Sequence, residues 1–189
     1  MKRFDLMYQV NTRASFACAQ ACLPHLMKSD NPHILTMSPP PNLSAQWFAN
    51  HTAYTISKYG MSLVTLGLAA EFEDEGVAVN SLWPVTVIET AALNMIPGLE
   101  QGRARSPEIL ADAAHAILTS PARDVTGGFF TDESVLEAIG ITDFETYNLT
   151  PGKSPYPDFF LELDRNGKND PNVARLLEKL SAAHRALSV

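Results

Sequence analysis

The chain has 189 residues, of which 46% are hydrophobic, and a formal net charge of −7. This length favours a single domain, and the composition is too apolar for a disordered chain. The acidic balance argues against a nucleic-acid-binding protein, which normally carries a basic patch. No apolar run approaches the roughly 20 residues that span a bilayer, and no signal-peptide core follows Met1. We therefore expect a soluble, cytoplasmic, globular protein.

The first half of the chain alternates long helical patterns with short apolar runs. Apolar residues recur at helical spacing over residues 3–28 and 51–75, and Gly76 is suited to end the second helix. The apolar runs at 33–37 and 77–83 predict strands, and the second is expected to be buried because it is apolar on both faces. Each strand is expected to end where prolines follow, because proline cannot continue a ladder. Two helices and two strands are therefore expected in this half.

The second half is predicted to add a helix, a strand and a terminal helix. Ser106 is suited to be the N-cap of a helix that continues to about residue 118. The run at 127–130 predicts a third strand, and the proline-rich chain beyond it is expected to be irregular. Residues 162–189 are interpreted as a linker followed by an amphipathic helix that opens at Pro171.

This order of elements predicts an α/β fold with a parallel sheet. Strands separated by helices of more than ten residues are typical of parallel βαβ units. About three strands with flanking helices are visible, whereas a doubly wound sheet usually has more. We therefore interpret residues 1–161 as the C-terminal half of a doubly wound, Rossmann-type parallel sheet. The strand at 33–37 is expected at an open edge of that sheet.

A tyrosine and a lysine are spaced for joint chemistry in the second long helix. Tyr54 and Lys58 are four residues apart, so they share one helix face. A free phenol is a poor base at neutral pH, but a nearby ammonium lowers its pKa and allows proton exchange with an alcohol or carbonyl oxygen. The spacing alone also fits an ordinary exposed pair on a helix.

Three other polar residues occupy notable positions in the predicted strands and helices around this pair. Ser38 ends a predicted strand, and ligands of open α/β sheets bind at the carboxyl ends of the strands. Asn11 lies within a predicted helix, where asparagine is unfavourable, so we expect its side chain to have a specific role. Asn80 lies within a buried strand and is interpreted as a residue that bridges backbone groups.

Four segments contain these residues in an order and spacing that a known family shares. They are Val10-Asn11, Ile34-Leu35-Thr36-Met37-Ser38, Tyr54-Thr55-Ile56-Ser57-Lys58-Tyr59-Gly60 and Val79-Asn80-Ser81-Leu82-Trp83-Pro84. In these segments the chain resembles the short-chain dehydrogenase/reductase family, and the resemblance covers residues 1–161. It implies an oxidoreductase that transfers a hydride between a nicotinamide cofactor, NAD or NADP, and an alcohol or ketone.

The resemblance also implies a role for each residue of the proposed catalytic set. Tyr54 would be the general acid and base, and Lys58 would lower its pKa and bind the nicotinamide ribose. Ser38 would orient the substrate oxygen, within hydrogen-bond or one-water distance of Tyr54. Asn11 would hold a water that connects Lys58 to solvent. Ser44 is the alternative serine, but it lies within a predicted loop rather than at the end of a strand.

The resemblance places further cofactor contacts after the second strand. Pro84 would begin this region, and Val87 or Ile88, with Thr90, would lie near the nicotinamide amide and the phosphate. The apolar stretch that follows would form a lid and favours a hydrophobic substrate; it comprises Ala91, Ala92, Leu93, Met95, Ile96 and Leu99. We expect no metal site.

A glycine-rich turn for the pyrophosphate is absent from the 189 residues, although nicotinamide dinucleotides need one. The chain is therefore interpreted as N-terminally truncated, and the isolated chain is expected to be inactive and to bind NAD(H) weakly. The alternative function is that of an inactive fragment that acts at most as a dimerising or scaffold module. A homo-oligomer through the helices at 3–28 and 51–75 is expected in either case, because these helices are apolar on more than one face.

Three pairs of side chains are predicted to be buried for structural reasons. Cys18 and Cys22 lie four residues apart and are interpreted as small buried side chains of one helix face, without a disulfide. The two phenylalanine pairs, Phe129-Phe130 and Phe159-Phe160, are interpreted as core residues.

Overall fold

The computed structural model describes residues 1–93, 98, 100, 102–161 and 170–187. Its helices and strands follow one another in the order α1 (Lys2–Tyr8), α2 (Ala14–Leu26), β1 (His33–Thr36), α3 (Thr52–Glu71), β2 (Ala78–Trp83), α4 (Glu108–Thr119), β3 (Phe129–Thr131), α5 (Asp132–Ala138) and α6 (Pro171–Leu187). Within the described residues, no helix is both long and apolar enough to cross a bilayer.

The three strands form a parallel sheet in the order β1-β2-β3, as predicted. All six residues of β2 are buried, because this strand lies between the other two and helices cover both of its faces. Within the described residues, β1 pairs with β2 alone, which confirms its expected position at an edge. The fold is therefore α/β, with a three-stranded parallel sheet between helices.

Two apolar clusters lie on opposite faces of the sheet. Helices α2 and α3 cover one face, where the buried cluster comprises Ala19, Leu23, Leu68, Ala69, Val77 and Val79. Helices α4, α5 and α6 cover the other face, and the buried side chains include Leu82, Ile109, Ile117, Phe130, Val135, Val173, Leu176 and Leu180. Since alternate residues of a strand point to opposite faces, Val79 and Leu82 of β2 contribute to different clusters.

Helices α1 and α2 form one continuous helical stretch, close to the prediction for residues 3–28. A π-helical turn, Gln9–Arg13, joins them and contains Asn11. The prediction that Cys18 and Cys22 are buried is wrong, because both thiols are exposed. The residues of α2 that face the sheet are instead Ala19 and Leu23, so the cysteines point away from it.

Helix α3 ends earlier than predicted. Its last residue is Glu71, and residues 72–75 form a turn rather than a further helical turn. Gly76 then adopts φ +74°, a left-handed conformation that glycine accepts readily and that redirects the chain into β2. The helix predicted to begin after Ser106 and the strand predicted at 127–130 are present as α4 and β3, with bounds moved by one or two residues.

Helix α5 was not predicted, since the chain after β3 was expected to be irregular. Thr131 and Ser134 form a capping box: each side chain accepts a hydrogen bond from the backbone N–H of the other. Val135 and Leu136 of this helix are buried in the core. Helix α6 was predicted, and its buried face packs on α4 and α5.

Asn80 bridges the backbone as predicted. Its side-chain Nδ2 donates to the carbonyl of Val125 at 2.7 Å, and its Oδ1 accepts from the N–H of Gly128 at 2.9 Å. All of these contacts are buried. The side chain therefore fixes the loop that leads into β3.

We expect Asn80→Leu to lower the free energy of unfolding by about 2 to 4 kcal/mol, because two buried backbone groups lose their partners. Urea unfolding measures this loss. The control is Asn172→Leu, at the exposed start of α6, which should change the stability by less than about 0.5 kcal/mol. An equal effect of both substitutions would contradict the structural role of Asn80.

Candidate active site

Helix α3 brings Tyr54 and Lys58 to the edge of the sheet where the strands end. They lie one turn apart on the helix, as their spacing predicts. Tyr54 is 36% exposed, so its phenol is accessible to a ligand. Lys58 is half-buried, and its ammonium donates a hydrogen bond to the carbonyl of Met37 at 3.1 Å. Met37 follows directly on β1, so this bond ties the lysine to the end of a strand.

The end of β2 supplies the second contact of Lys58. The Nζ atom lies 5.1 Å from the centre of the Trp83 ring, and Trp83 is the last residue of β2. A cation over the face of an indole ring is attracted by its π electrons. Lys58 is therefore held between the carboxyl ends of two neighbouring strands.

Ser38 lies in the same neighbourhood and is fully buried. Its chain neighbours are both tied to α3: Met37 by Lys58, and Pro39 through its carbonyl, which accepts a hydrogen bond from the hydroxyl of Ser62 at 2.6 Å. The Oγ of Ser38 is buried and has no hydrogen-bond partner within the described part of the chain. Such a group is unusual and is suited to bind a ligand. Ser44 lies in the loop and is only half-buried.

Asn11 contacts helix α3, the helix that carries Tyr54 and Lys58. Its Nδ2 donates to the hydroxyl of Ser57, the residue before Lys58, at 3.0 Å. It does so from the π-helical turn, and such turns are frequent at functional sites. The adjacent Thr12 donates its hydroxyl proton to the carbonyl of Ser57 at 2.9 Å. A Cβ on Gly60 would lie 2.3 Å from the Thr12 Oγ1, so only glycine permits this approach of the helices.

A distant segment completes the surroundings of Tyr54. The Phe160 ring stacks on the Tyr54 ring, with centroids 6.0 Å apart and an interplanar angle of 18°. Phe160 is 1% exposed and so lies in the core as predicted, but its core contacts include Tyr54, Tyr59 and Trp83. Phe159 is half-buried beside it. The pair predicted to be purely structural therefore borders the site.

The electrostatics of Tyr54 differ from the expectation. Burial, together with the charge of the Asp158 carboxylate, raises the pKa of Tyr54 to about 12. Burial also lowers the pKa of the Lys58 ammonium, and the Asp158 carboxylate opposes that shift. Neither of the causes that raise the pKa of Tyr54 involves Lys58, so the role of Lys58 in lowering that pKa stays a prediction. The lysine ammonium is engaged with Met37 and Trp83, while burial and a carboxylate act on the phenol.

The residues after β2 separate into two groups. Pro84 is buried where β2 ends, and Ile88 is buried in the core cluster beneath α4. Val87 and Thr90 instead line a cavity of about 1030 Å³, whose other described lining residues include Leu93, Glu89, Arg103 and Tyr156. This favours Val87 over Ile88 as the residue that faces a ligand. The described lining contains neither Tyr54 nor Lys58.

Three residues of this region were not found by sequence reasoning. Thr86 has a buried hydroxyl that lacks a partner among the residues described. Asp158 and Phe160 act on Tyr54 although they lie much later in the sequence. The threonine could have been noticed, because it lies between Pro84 and Val87. The other two have no local motif, and only the tertiary fold brings them to the site.

Comparison with known proteins gives the same assignment as the motifs. Residues 1–127 match the family described as enoyl-(acyl carrier protein) reductase. The chain is 52% identical over 163 residues to hydroxysteroid dehydrogenase-like protein 2 of Danio rerio, covering 86% of the chain and 39% of that protein. The chain thus spans about two fifths of the length of this curated relative.

Solved structures share the fold. A Xanthomonas campestris protein assigned as a dehydrogenase is 59% identical, with a TM-score of 0.83, and the match covers 86% of this chain and 60% of that one. The angucycline C-6 ketoreductase LanV, solved with bound NADP, is 25% identical, with a TM-score of 0.56 over 69% of this chain and 52% of that one. With its family match over residues 1–127, the chain belongs to the short-chain dehydrogenase/reductase family.

Proposed function

We propose that the chain carries the catalytic residues of an NAD(P)-dependent oxidoreductase that acts on a hydrophobic alcohol or ketone. The observation that carries the proposal is the position of Lys58, held by Met37 and Trp83 at the ends of two strands. This position places an ammonium, the Tyr54 phenol one turn away and the buried Ser38 hydroxyl in one neighbourhood. An ammonium, a phenol and a hydroxyl are together suited to proton transfer at an oxygen.

Each residue has a role in this proposal. Tyr54 gives its phenolic proton to a carbonyl oxygen, or takes a proton from an alcohol in the reverse reaction. Ser38 donates a hydrogen bond to the same oxygen and stabilises the charge that develops there. Asn11, through Ser57, lies next to Lys58 and holds a water that connects the ammonium to solvent. We expect the Ser38 and Tyr54 oxygens to lie within hydrogen-bond or one-water distance.

The residues present fit the nicotinamide end of the cofactor. When bound, this group supplies or accepts the hydride. Lys58 is suited to bind ribose hydroxyls, and the unpartnered Thr86 hydroxyl can bind a carboxamide or phosphate oxygen. Pro84 shapes the start of this loop, and Val87 and Thr90 face the cavity beside it. The family match and the NADP-bound ketoreductase support a nicotinamide cofactor, without distinguishing NAD from NADP.

The proposed substrate is apolar at the end that approaches Tyr54. The aromatic rings around the phenol are those of Trp47, Phe159 and Phe160, and they offer an apolar surface. Of the expected lid residues, Ala91 and Leu93 line the cavity, whereas Met95, Ile96 and Leu99 lie outside the described residues. A bulky hydrophobic alcohol or ketone is thus the substrate class we propose.

A second candidate function is a dimerising or scaffold module without activity. The observation that favours it is an apolar groove of about 680 Å³ between the first helical stretch and α3; its lining includes Tyr8, Phe16, Leu43, Ile56, Leu63 and Val64. Several of these side chains are exposed, among them Leu63 at 60%. Exposed apolar patches of this kind mark interaction sites. We propose that a second copy of the chain covers the groove, with or without catalysis.

The central test is Tyr54→Phe in an NAD(P)H-dependent ketone reduction assay. Because the isolated chain is expected to be inactive, it is grafted in place of the equivalent segment of the 59% identical Xanthomonas protein. We expect kcat to fall by about 10²- to 10⁴-fold, because the general acid is removed while the ring is kept. The control is Tyr147→Phe, whose hydroxyl donates to Asp112 far along the chain. Near-normal turnover by Tyr54→Phe would refute the proposed chemistry.

Cofactor binding separates the two candidate functions. Because no glycine-rich turn is present in these residues, we expect calorimetric titration with NADH or NADPH to give an affinity weaker than micromolar. Saturation-transfer NMR should still detect the nicotinamide end in contact with the protein, and Lys58→Met should abolish that signal. Lys28→Met, in the turn after α2, should leave it unchanged. Absence of any nicotinamide signal from the wild type would favour the scaffold module.

The oligomeric state of the chain tests the proposal that a second copy covers the groove. Leu63→Glu places a charge on the exposed apolar face of α3, so we expect sedimentation to show a dimer for the wild type and a monomer for the variant. Leu118→Glu is the matched control, since Leu118 is 41% exposed on α4, outside the groove. A wild-type chain that sediments as a stable monomer would contradict the proposed self-association.

A further inference from the structure

Three backbone segments join to form one wall of the cavity of about 1030 Å³. The loop after β2 pairs with both of the others: Val87 donates its N–H to the carbonyl of Tyr156 at 2.9 Å, and its own carbonyl accepts the N–H of Arg105 at 2.9 Å. Glu89 donates its N–H to the carbonyl of Arg105 at 2.8 Å. Tyr156 donates its N–H to the carbonyl of Arg103 at 3.0 Å. The backbone of Arg103 is therefore fixed at this wall.

The side chain of Arg103 is also held in place. Its Nε donates a hydrogen bond to the carbonyl of Ser154 at 2.9 Å. Its Cζ lies over the ring of Tyr156, 4.0 Å from the ring centre. A cation at this position is attracted by the π electrons of the ring. The guanidinium is thus oriented before a ligand arrives, which reduces the entropy that binding costs.

The terminal nitrogens of this guanidinium remain available for a ligand. Within the described residues, the Arg103 side chain forms no hydrogen bond besides that to Ser154 and no ion pair. The residue is half-buried and lines the cavity. A guanidinium with free Nη groups presents parallel N–H donors that match the two oxygens of a carboxylate.

Two carboxylates line the same cavity, but neither occupies the guanidinium. Glu100 pairs with the Lys153 ammonium at 2.7 Å, which offsets its charge, and the Arg103 charge acts on it from a greater distance. Glu89 is exposed, and among the described residues it forms no ion pair with Arg103. Arg103 therefore faces the cavity with a charge that no direct contact compensates within the described part of the chain.

Other parts of the cavity lining are apolar. They comprise Val87, Ala91, Leu93, Ala104, Pro107 and Leu149. Ligand pockets commonly combine such apolar surface with a few placed polar groups, and the polar groups fix the orientation of the ligand. In this cavity, the oriented guanidinium is suited to hold the anionic end of a ligand, and the apolar surface is suited to hold its hydrocarbon part.

A short stretch of chain connects this cavity to the proposed reaction site. Tyr156 lines the cavity, and Phe160, four residues later, stacks on the ring of Tyr54 with centroids 6.0 Å apart. Four residue steps span at most about 14 Å. Since the Arg103 guanidinium lies over the Tyr156 ring, an elongated ligand held by its anionic end can reach the phenol with its other end.

We propose that Arg103 is a specificity-determining residue that binds a carboxylate at the far end of the substrate, so that the substrate is an elongated, apolar ketone or alcohol with an anionic end. The proposal deepens the proposed function and rests on it. A neutral ketone of the same length lacks the charged hydrogen bonds to Arg103 and is disfavoured. Pyrophosphate, as part of a dinucleotide, is the other anion that a guanidinium binds, and the test includes it.

The binding test uses the intact chain and three probes: decanoate, methyl decanoate and inorganic pyrophosphate. NMR follows the Nε–H signal of Arg103, which is assigned by its absence in Arg103→Met. We expect decanoate to shift this signal and to bind about tenfold more tightly than its methyl ester, because the ester lacks the charge. Tighter binding of pyrophosphate than of decanoate at this signal would assign Arg103 to a phosphate and overturn the proposal. Binding of none of the three probes would also overturn it.

Variants of Arg103 separate charge from shape. Arg103→Met keeps a long stem but removes the charge, so the affinity for decanoate should fall about tenfold while that for methyl decanoate is retained. Arg103→Lys keeps the charge without the fork of donors and should be intermediate; it also serves if Arg103→Met fails to fold. Arg175→Met, at an exposed position of α6, is the matched control and should bind decanoate as the wild type does. Equal decanoate binding by the wild type and Arg103→Met would refute the proposed role.

A kinetic measurement connects this binding to substrate choice. In the Xanthomonas graft, the substrates are an oxodecanoate whose keto group lies opposite the carboxylate, and its methyl ester. Arg103→Met should lower the ratio of their kcat/KM values, acid over ester, by about tenfold, mainly through KM. An unchanged ratio would contradict a role in specificity. The binding test needs no turnover, and Tyr54→Phe should still bind decanoate, so its failure is distinguishable from a failure of the proposed function.

Discussion

The position of Lys58 between two strand ends is the contact on which the site depends. Its ammonium is bonded to the carbonyl of Met37 after β1 and lies over the ring of Trp83 at the end of β2. Because Tyr54 is one turn away on the same rigid helix, fixing the lysine also fixes the phenol. The hydrogen bond from Ser62 to Pro39 holds the next turn of α3 to the same loop. The geometry of the candidate site is therefore a property of helix–strand packing.

Local patterns predicted the elements of the fold but not their relations in space. The strands and long helices were predicted because their hydrophobic periods are strong, and Asn80 was correctly interpreted as a bridge. The burial of Cys18 was predicted wrongly, since a helix that is apolar on several faces does not reveal which face meets the sheet. Helix α5 was missed although Thr131 begins it with a capping box, because the helix is only seven residues long.

The candidate site shows the same division between local and distant signals. Tyr54, Lys58 and Ser38 could be selected because each occupies a local motif: a helical spacing or the end of a strand. Asp158 and Phe160 carry no such motif, and they reach Tyr54 only because the chain pairs with the loop after β2. A half-buried carboxylate whose charge acts on Tyr54 and Lys58 is thus invisible to spacing arguments. It becomes evident only when burial and charge are considered together.

The tyrosine–lysine motif therefore does not determine the acidity of the tyrosine by itself. A lysine one turn away favours the phenolate only if its charge acts on the phenol more strongly than the other groups do. In this fold the ammonium is engaged by a carbonyl and an indole ring, while the aromatic surroundings and the Asp158 carboxylate disfavour the anion. The motif supplies the phenol and the ammonium, and the packing of distant residues shifts the pKa of each.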